Sequence, residues 1–198
     1  MSGTRSPSPK GRAISPGTLL LVTHGIEGGP GSAADHAAAI AKLGRFEAVR
    51  VGCIKGTPDL ATALRHAPPP VRVVPMLMAR GFIFDLMRRR LDDLPNAGSL
   101  VLAEPVGAHP GLTGLIRRLA DEACCAQSWR RDRTALLLLG HGTPRHGGSA
   151  EATREQARRL EDAGYAAVAV AFLEEAPFPA EAGAGLPGEQ LVAVGLFL

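Results

Sequence analysis

Two continuous aliphatic runs, each stopped by a histidine and a glycine-rich turn, set the layout of this 198-residue chain. Leu19 to Ser32 reads LLLVTHGIEGGPGS and Leu136 to Ser149 reads LLLLGHGTPRHGGS. His24 and His141 therefore stand 117 residues apart, as do Ser32 and Ser149. After a slip of two residues the match resumes at an offset of 119, pairing Val49 with Val168, Ile54 with Leu173, Pro58 with Pro177, Val73 with Val192 and Leu77 with Leu196. An offset held over so many positions marks an internal duplication, each copy opening on a histidine.

The apolar pattern predicts strands alternating with helices. Thr18 to Thr23 is uninterrupted and short, which suits a strand buried on both faces of a parallel sheet. Ser32 is a candidate N-cap for a helix over Ala33 to Leu43, which Gly44 closes. Strands over Ala48 to Ile54 and Val71 to Met78 flank a helix that starts at Thr57-Pro58-Asp59 and stops before the prolines at 68 to 70. An arginine-rich loop or helix, Gly81 to Leu94, leads to a short strand at Leu100 to Ala103. Leu112, Leu115, Ile116, Leu119 and Ala123 then recur at helical spacing within 111–126. The second copy repeats the order with a strand at Ala135 to Leu139, an N-cap at Ser149, a helix over Ala150 to Ala163, a strand at Ala166 to Leu173, a proline-rich connection and a strand at Gln190 to Leu198. This order implies an α/β fold of two similar lobes, each a parallel sheet flanked by helices. The expected organisation is a Ser-, Pro- and Gly-rich lead over 1–17, a first lobe over 18–127 and a second, shorter lobe over 134–198.

Composition narrows the setting. The net charge is +3, but nineteen of the 22 basic residues are Arg. Their planar donor forks suit carboxylate or phosphate ligands. One Trp, one Tyr and six Phe are too few to build stacking platforms along a basic groove, so nucleic-acid binding is not expected. Three cysteines, two of them adjacent, form no disulfide framework, and a reducing cytoplasm is the expected location. No run is long enough to span a bilayer, and residues 1–17 lack the apolar core of a secretory signal.

Ligands of open α/β sheets bind at the carboxyl ends of the strands, which is where His24 and His141 fall. An imidazole there can ligate a metal or move a proton. Glu174, in the Glu174-Glu175 pair just after AVAVAF, shares the sheet edge of His141 and adds a hard ligand or proton acceptor. Copy one has Lys55 and Gly56 at the equivalent places. His146 lies in the same loop as His141. The glycine-rich turns match neither GxxxxGK[ST] nor GxGxxG, so no nucleotide is expected. A histidine-phosphatase reading would need an Arg before the histidine, where Thr23 and Gly140 stand.

From about Leu19 onward the chain resembles the class II chelatases of the CbiX and SirB type. The resemblance lies in LLLVTHG, LLLLGHGT, VAVAFLEEAP with its counterpart VRVGCIKGTP, VRVVPMLMARG and GAHPGL. It implies two lobes around a cleft that holds a tetrapyrrole, with Co2+ or Fe2+ inserted into sirohydrochlorin on a cobalamin or siroheme route. His141, His24 and Glu174 match the family's metal-handling and catalytic positions. Arg145, Arg88 and Arg89 are the candidates for the tetrapyrrole's peripheral carboxylates. The family commonly places a second metal-binding histidine beyond the third strand, where this chain has Ile83. That departure opens an alternative, a non-catalytic tetrapyrrole- or metal-binding carrier derived from a chelatase. The final apolar strand would present a pairing edge, so a homodimer is expected.

Overall fold

Both aliphatic runs become the central strands of parallel sheets. The computed structural model describes residues 16–26, 29–143 and 148–197. In the first sheet β1 (Thr18–Thr23) pairs in parallel with β2 (Ala48–Cys53) and β3 (Val71–Pro75), and β3 with β4 (Leu100–Leu102), in the order β2-β1-β3-β4. The second sheet places β5 (Thr134–Gly140) between β6 (Ala167–Phe172) and β7 (Gln190–Gly195), in the order β6-β5-β7. Its three strands reproduce the first three of the other sheet. A central parallel strand has no solvent face, which is why β1 and β5 read as unbroken leucine runs.

Helices cover both faces of the first sheet. Leu20, Val22, Val71 and Val73 pack against α2 (Leu60–Leu64) and α3 (Phe82–Asp92) through Leu60, Leu64, Phe84, Met87 and Leu91. Leu19 and Leu21, on the opposite face, pack against Ala37 of α1 (Ala33–Ala41). In the second sheet Leu136, Leu138, Val192 and Val194 meet α5 (Gly148–Arg158) and α4 (Gly111–Ala126). The helix α4 follows the strands of the first copy, yet its buried stripe of Ile116, Ala120 and Cys124 completes the core of the second. The chain thereby ties the two sheets together before β5 begins.

Several local expectations change. Ser32 is not a side-chain cap: its backbone is already helical, and the N–H groups of Ala33 and Ala34 donate to the carbonyls of Pro30 and Gly31. The preceding turn thus satisfies donors that a serine hydroxyl would otherwise serve. Ser149 does not precede its helix, because α5 starts at Gly148. The arginine-rich segment is helical, and the proline-rich connection contains a short helix, α6 (Pro179–Gly183). Asp59 does cap α2, accepting from the Thr62 N–H at 2.7 Å. Among the described residues no helix is long and apolar enough to cross a membrane.

Candidate active site

The two strand-end histidines line one cavity. It measures about 520 Å³ and takes its walls from both sheets: His24 follows β1, Met76, Leu77 and Met78 follow β3, and Gly81, Phe82 and Ile83 open α3. From the other side come His141 and Thr143 after β5, Thr153 of α5, Glu174 after β6, and Leu196 and Phe197 after β7. This volume is within the usual range for small-molecule sites, and the lining is mostly apolar with a few polar groups, as such sites tend to be.

Backbone packing sets the histidines. Each is followed by a glycine of positive φ, +87° at Gly25 and +68° at Gly142. A Cβ on Gly25 would lie 1.7 Å from the Lys55 carbonyl oxygen, and one on Gly142 would lie 2.7 Å from the Phe172 Cβ. Only glycine lets these turns fold back so closely on the neighbouring strand end. Both copies then make the same hydrogen bond: the Lys55 N–H donates to the His24 carbonyl at 2.7 Å, and the Glu174 N–H donates to the His141 carbonyl at 3.0 Å. One backbone frame therefore presents His beside Lys in the first copy and His beside Glu in the second.

The His/Glu pair is closed at the side-chain level. His141 Nε2 lies 3.3 Å from Glu174 Oε1, and both side chains are more than half exposed. Imidazole nitrogen and carboxylate oxygen at this spacing can share a proton or take a divalent ion between them. Among the described residues no group of three His, Cys, Asp or Glu forms a closed metal centre. The neighbouring Glu175 turns the other way, its Oε1 buried without a hydrogen-bond partner and packed where a Gly142 side chain would go.

The sequence candidates divide. His24, His141 and Glu174 come together at the cavity. Arg88 and Arg89 are exposed on the later turns of α3, away from the Gly81–Ile83 end that lines it, and the neighbouring Arg90 donates to the Ile54 carbonyl. Arg145 and His146 lie outside the described residues. Ile83 does line the cavity, so an apolar side chain occupies that wall. Met76, Met78, Phe82, Thr153 and Phe197 also line the cavity, and no chemical motif in the sequence marks them. Position alone marks them: Met76, Met78 and Phe197 follow strand ends, Phe82 opens α3 and Thr153 lies in α5.

A second, smaller cavity of about 380 Å³ opens beside the first and shares His24 with it. Its lining is Gly25, Ile26, Gly29, Lys55, Gly56 and Thr57.

Comparison with known proteins agrees with this architecture. The CbiX family profile matches residues 18–123. A probable sirohydrochlorin cobaltochelatase of Halobacterium salinarum is 27% identical over 208 residues, covering 91% of this chain and 71% of that protein. A solved structure of CbiX, described as the terminal enzyme for biosynthesis of siroheme in denitrifying bacteria, is 31% identical with a TM-score of 0.66, over 91% of this chain and 79% of its own. A multi-domain protein of Deinococcus radiodurans with structural similarity to chelatases shares the fold at 24% identity and a TM-score of 0.65, over 89% of this chain and 43% of that one. Since the profile spans more than half of the residues and the paired-sheet architecture recurs in the solved relatives, the chain belongs to the CbiX family of class II chelatases.

Proposed function

We propose that this protein inserts a divalent metal, Co2+ or Fe2+, into sirohydrochlorin on the route to cobalamin or siroheme. The observation that carries the proposal is the His141–Glu174 pair, 3.3 Å apart at a cavity whose walls come from both sheets. Two relatives support the substrate: one is named a probable sirohydrochlorin cobaltochelatase and another a terminal enzyme of siroheme biosynthesis.

Metallation exchanges two pyrrole protons for one divalent ion, so the site must deliver the ion and remove protons. His141 binds the incoming ion through Nε2 and releases it to the macrocycle. Glu174 accepts one pyrrole proton, and the His141 imidazole, freed as the ion passes to the macrocycle, accepts the other. The apolar lining of Leu77, Ile83 and Leu196 holds the flat ring system and limits water at the reacting nitrogens. The ion is substrate throughout, and two protein ligands bind it loosely enough for transfer. No nucleotide takes part.

The test is incubation of the purified protein with sirohydrochlorin and Co2+ while the absorption spectrum is followed. Acceleration of metallation over buffer is the expected result. A spectral shift on binding without acceleration would mean a carrier rather than an enzyme. A homodimer through β7, an edge strand of the second sheet, belongs to the same proposal. Sedimentation at micromolar concentration checks it, and a monomer mass counts against it.

A further inference from the structure

The duplicated frame holds opposite charges in its two halves. Where the second copy hangs Glu174 from the His141 carbonyl, the first hangs Lys55 from the His24 carbonyl through the same backbone hydrogen bond. Among the described residues, Lys55 is the one ammonium or guanidinium lining either of the cavities that contain a strand-end histidine. It is exposed, and it makes no ion pair with any described residue. Elsewhere the protein pairs many of its cations: Arg80 with Glu104, Arg130 with Asp132, Arg131 with Asp121, Arg133 with Glu189, and Arg158 with Glu151 and Glu155. Lys55 lines a cavity of about 380 Å³ together with His24, Ile26, three glycines and Thr57.

We infer that this smaller cavity, formed by His24, Lys55, Gly25, Gly29 and Thr57, is a carboxylate-binding subsite that receives one acidic arm of the macrocycle. This rests on the tetrapyrrole reading of the larger cavity. Three observations carry it. The two cavities share His24 as lining, so the smaller one adjoins the space a ring would take in the larger. The ligand's charge is opposite to that of Lys55, because sirohydrochlorin carries acetate and propionate arms around its edge. The donors suit an anion: the ammonium has three N–H groups, Thr57 a hydroxyl, and His24 an imidazole N–H. Duplication thus yields a division of labour. The half with glutamate handles ion and proton, and the half with lysine anchors the substrate's edge, where a positive charge stays clear of the incoming ion.

Two measurements test the subsite. The first compares metallation kinetics of the wild type with Lys55→Met, which keeps the length of the side chain, and with Lys55→Glu, which restores the charge of the other copy. KM for sirohydrochlorin rises about three- to tenfold in Lys55→Met, between the effect of an exposed ion pair and that of a charge-assisted hydrogen bond. It rises further in Lys55→Glu, kcat stays within about twofold of the wild type, and Lys55→Arg recovers most of the loss. Raising the salt concentration erodes the difference. The second measurement follows the His24 ring resonances by NMR while tricarballylate, a small polycarboxylate, is added. They shift saturably in the wild type and not in Lys55→Met. An unchanged KM in active Lys55→Met overturns the subsite for the macrocycle. If the wild type neither binds nor metallates sirohydrochlorin, the metallation proposal falls, and the NMR titration alone decides the carboxylate site. No Lys55-dependent shift in that case overturns it as well.

Discussion

Gly142 shows how little freedom the residue after a strand-end histidine has. Its φ of +68° and a virtual Cβ 2.7 Å from that of Phe172 leave no room for a side chain. Gly142→Ala should therefore lose about 1–3 kcal/mol of stability, the usual cost of a residue forced into sparsely populated backbone conformations. Urea denaturation reads this directly, and an unchanged midpoint would show that the turn relaxes. Glu174→Gln tests the proton acceptor beside it, since the amide keeps the shape and loses the basicity. The metallation rate should drop by about 10²-fold or more, the low end of what a positioned acid or base contributes. A rate within twofold of the wild type would remove Glu174 from that role. Single residues were unevenly legible. His24, His141 and Glu174 could be read because each ends an apolar run, so periodicity fixes where it lies. Ser32 resembled a cap, yet the Pro30 and Gly31 carbonyls had taken the donors it would have served. Arg88 and Arg89 matched the chemistry of an acidic ligand, but charge alone does not say which end of a helix meets the cavity.

At the scale of elements, the polar latch between α5 and the turn before α4 has no counterpart in the hydrophobic pattern. Gln156 is fully buried, accepts from the Thr113 hydroxyl at 2.6 Å and donates to the Gly107 carbonyl at 2.9 Å. The turn it grips packs against the cavity wall: the Gly107 N–H donates to the Leu77 carbonyl, and a Cβ on Gly107 would lie 1.8 Å from the Met78 oxygen. Gln156→Leu fills similar volume but orphans a buried carbonyl and a hydroxyl, at about 1–3 kcal/mol for each group left unpaired. A denaturation midpoint that falls with an unchanged slope is the expected signature. The far end of α4 is fixed by Tyr165, whose hydroxyl donates to Asp121 at 2.8 Å while Arg131 pairs with the same carboxylate at 2.6 Å. Burial and the Asp121 carboxylate raise the phenol's pKa well above its ordinary value, so it stays a donor across the working pH range. Tyr165→Phe should cost about 1 kcal/mol, one hydrogen bond with the ring packing kept. The helix α4 itself was legible from its spacing, but amphipathicity says only that one face is buried. That this face completes the second core depends on the path of the chain between the sheets.

At the scale of the whole molecule, the duplication puts two histidines with different neighbours on one cavity. The frames agree down to the hydrogen bond at each histidine carbonyl, so His24 and His141 differ through their neighbours, Lys55 and Glu174. An ammonium beside His24 repels a divalent ion approaching that nitrogen, whereas a carboxylate 3.3 Å from His141 attracts it. The ion should therefore enter through the second copy, with the first copy acting on the substrate's periphery. His141→Ala removes a ligand from the ion's path and should lower kcat by at least about 10 to 100-fold, the scale of losses seen when even outer partners of a metal site are removed. His24→Ala should leave kcat nearly intact and raise KM, because it deletes one side of the shared wall between the two cavities. Both variants are assayed with sirohydrochlorin and Co2+ after circular dichroism shows that each keeps the fold. If His24→Ala is the dead enzyme and His141→Ala the active one, the ion is handled in the first copy despite Lys55, and the His141–Glu174 pair serves only to close the cavity.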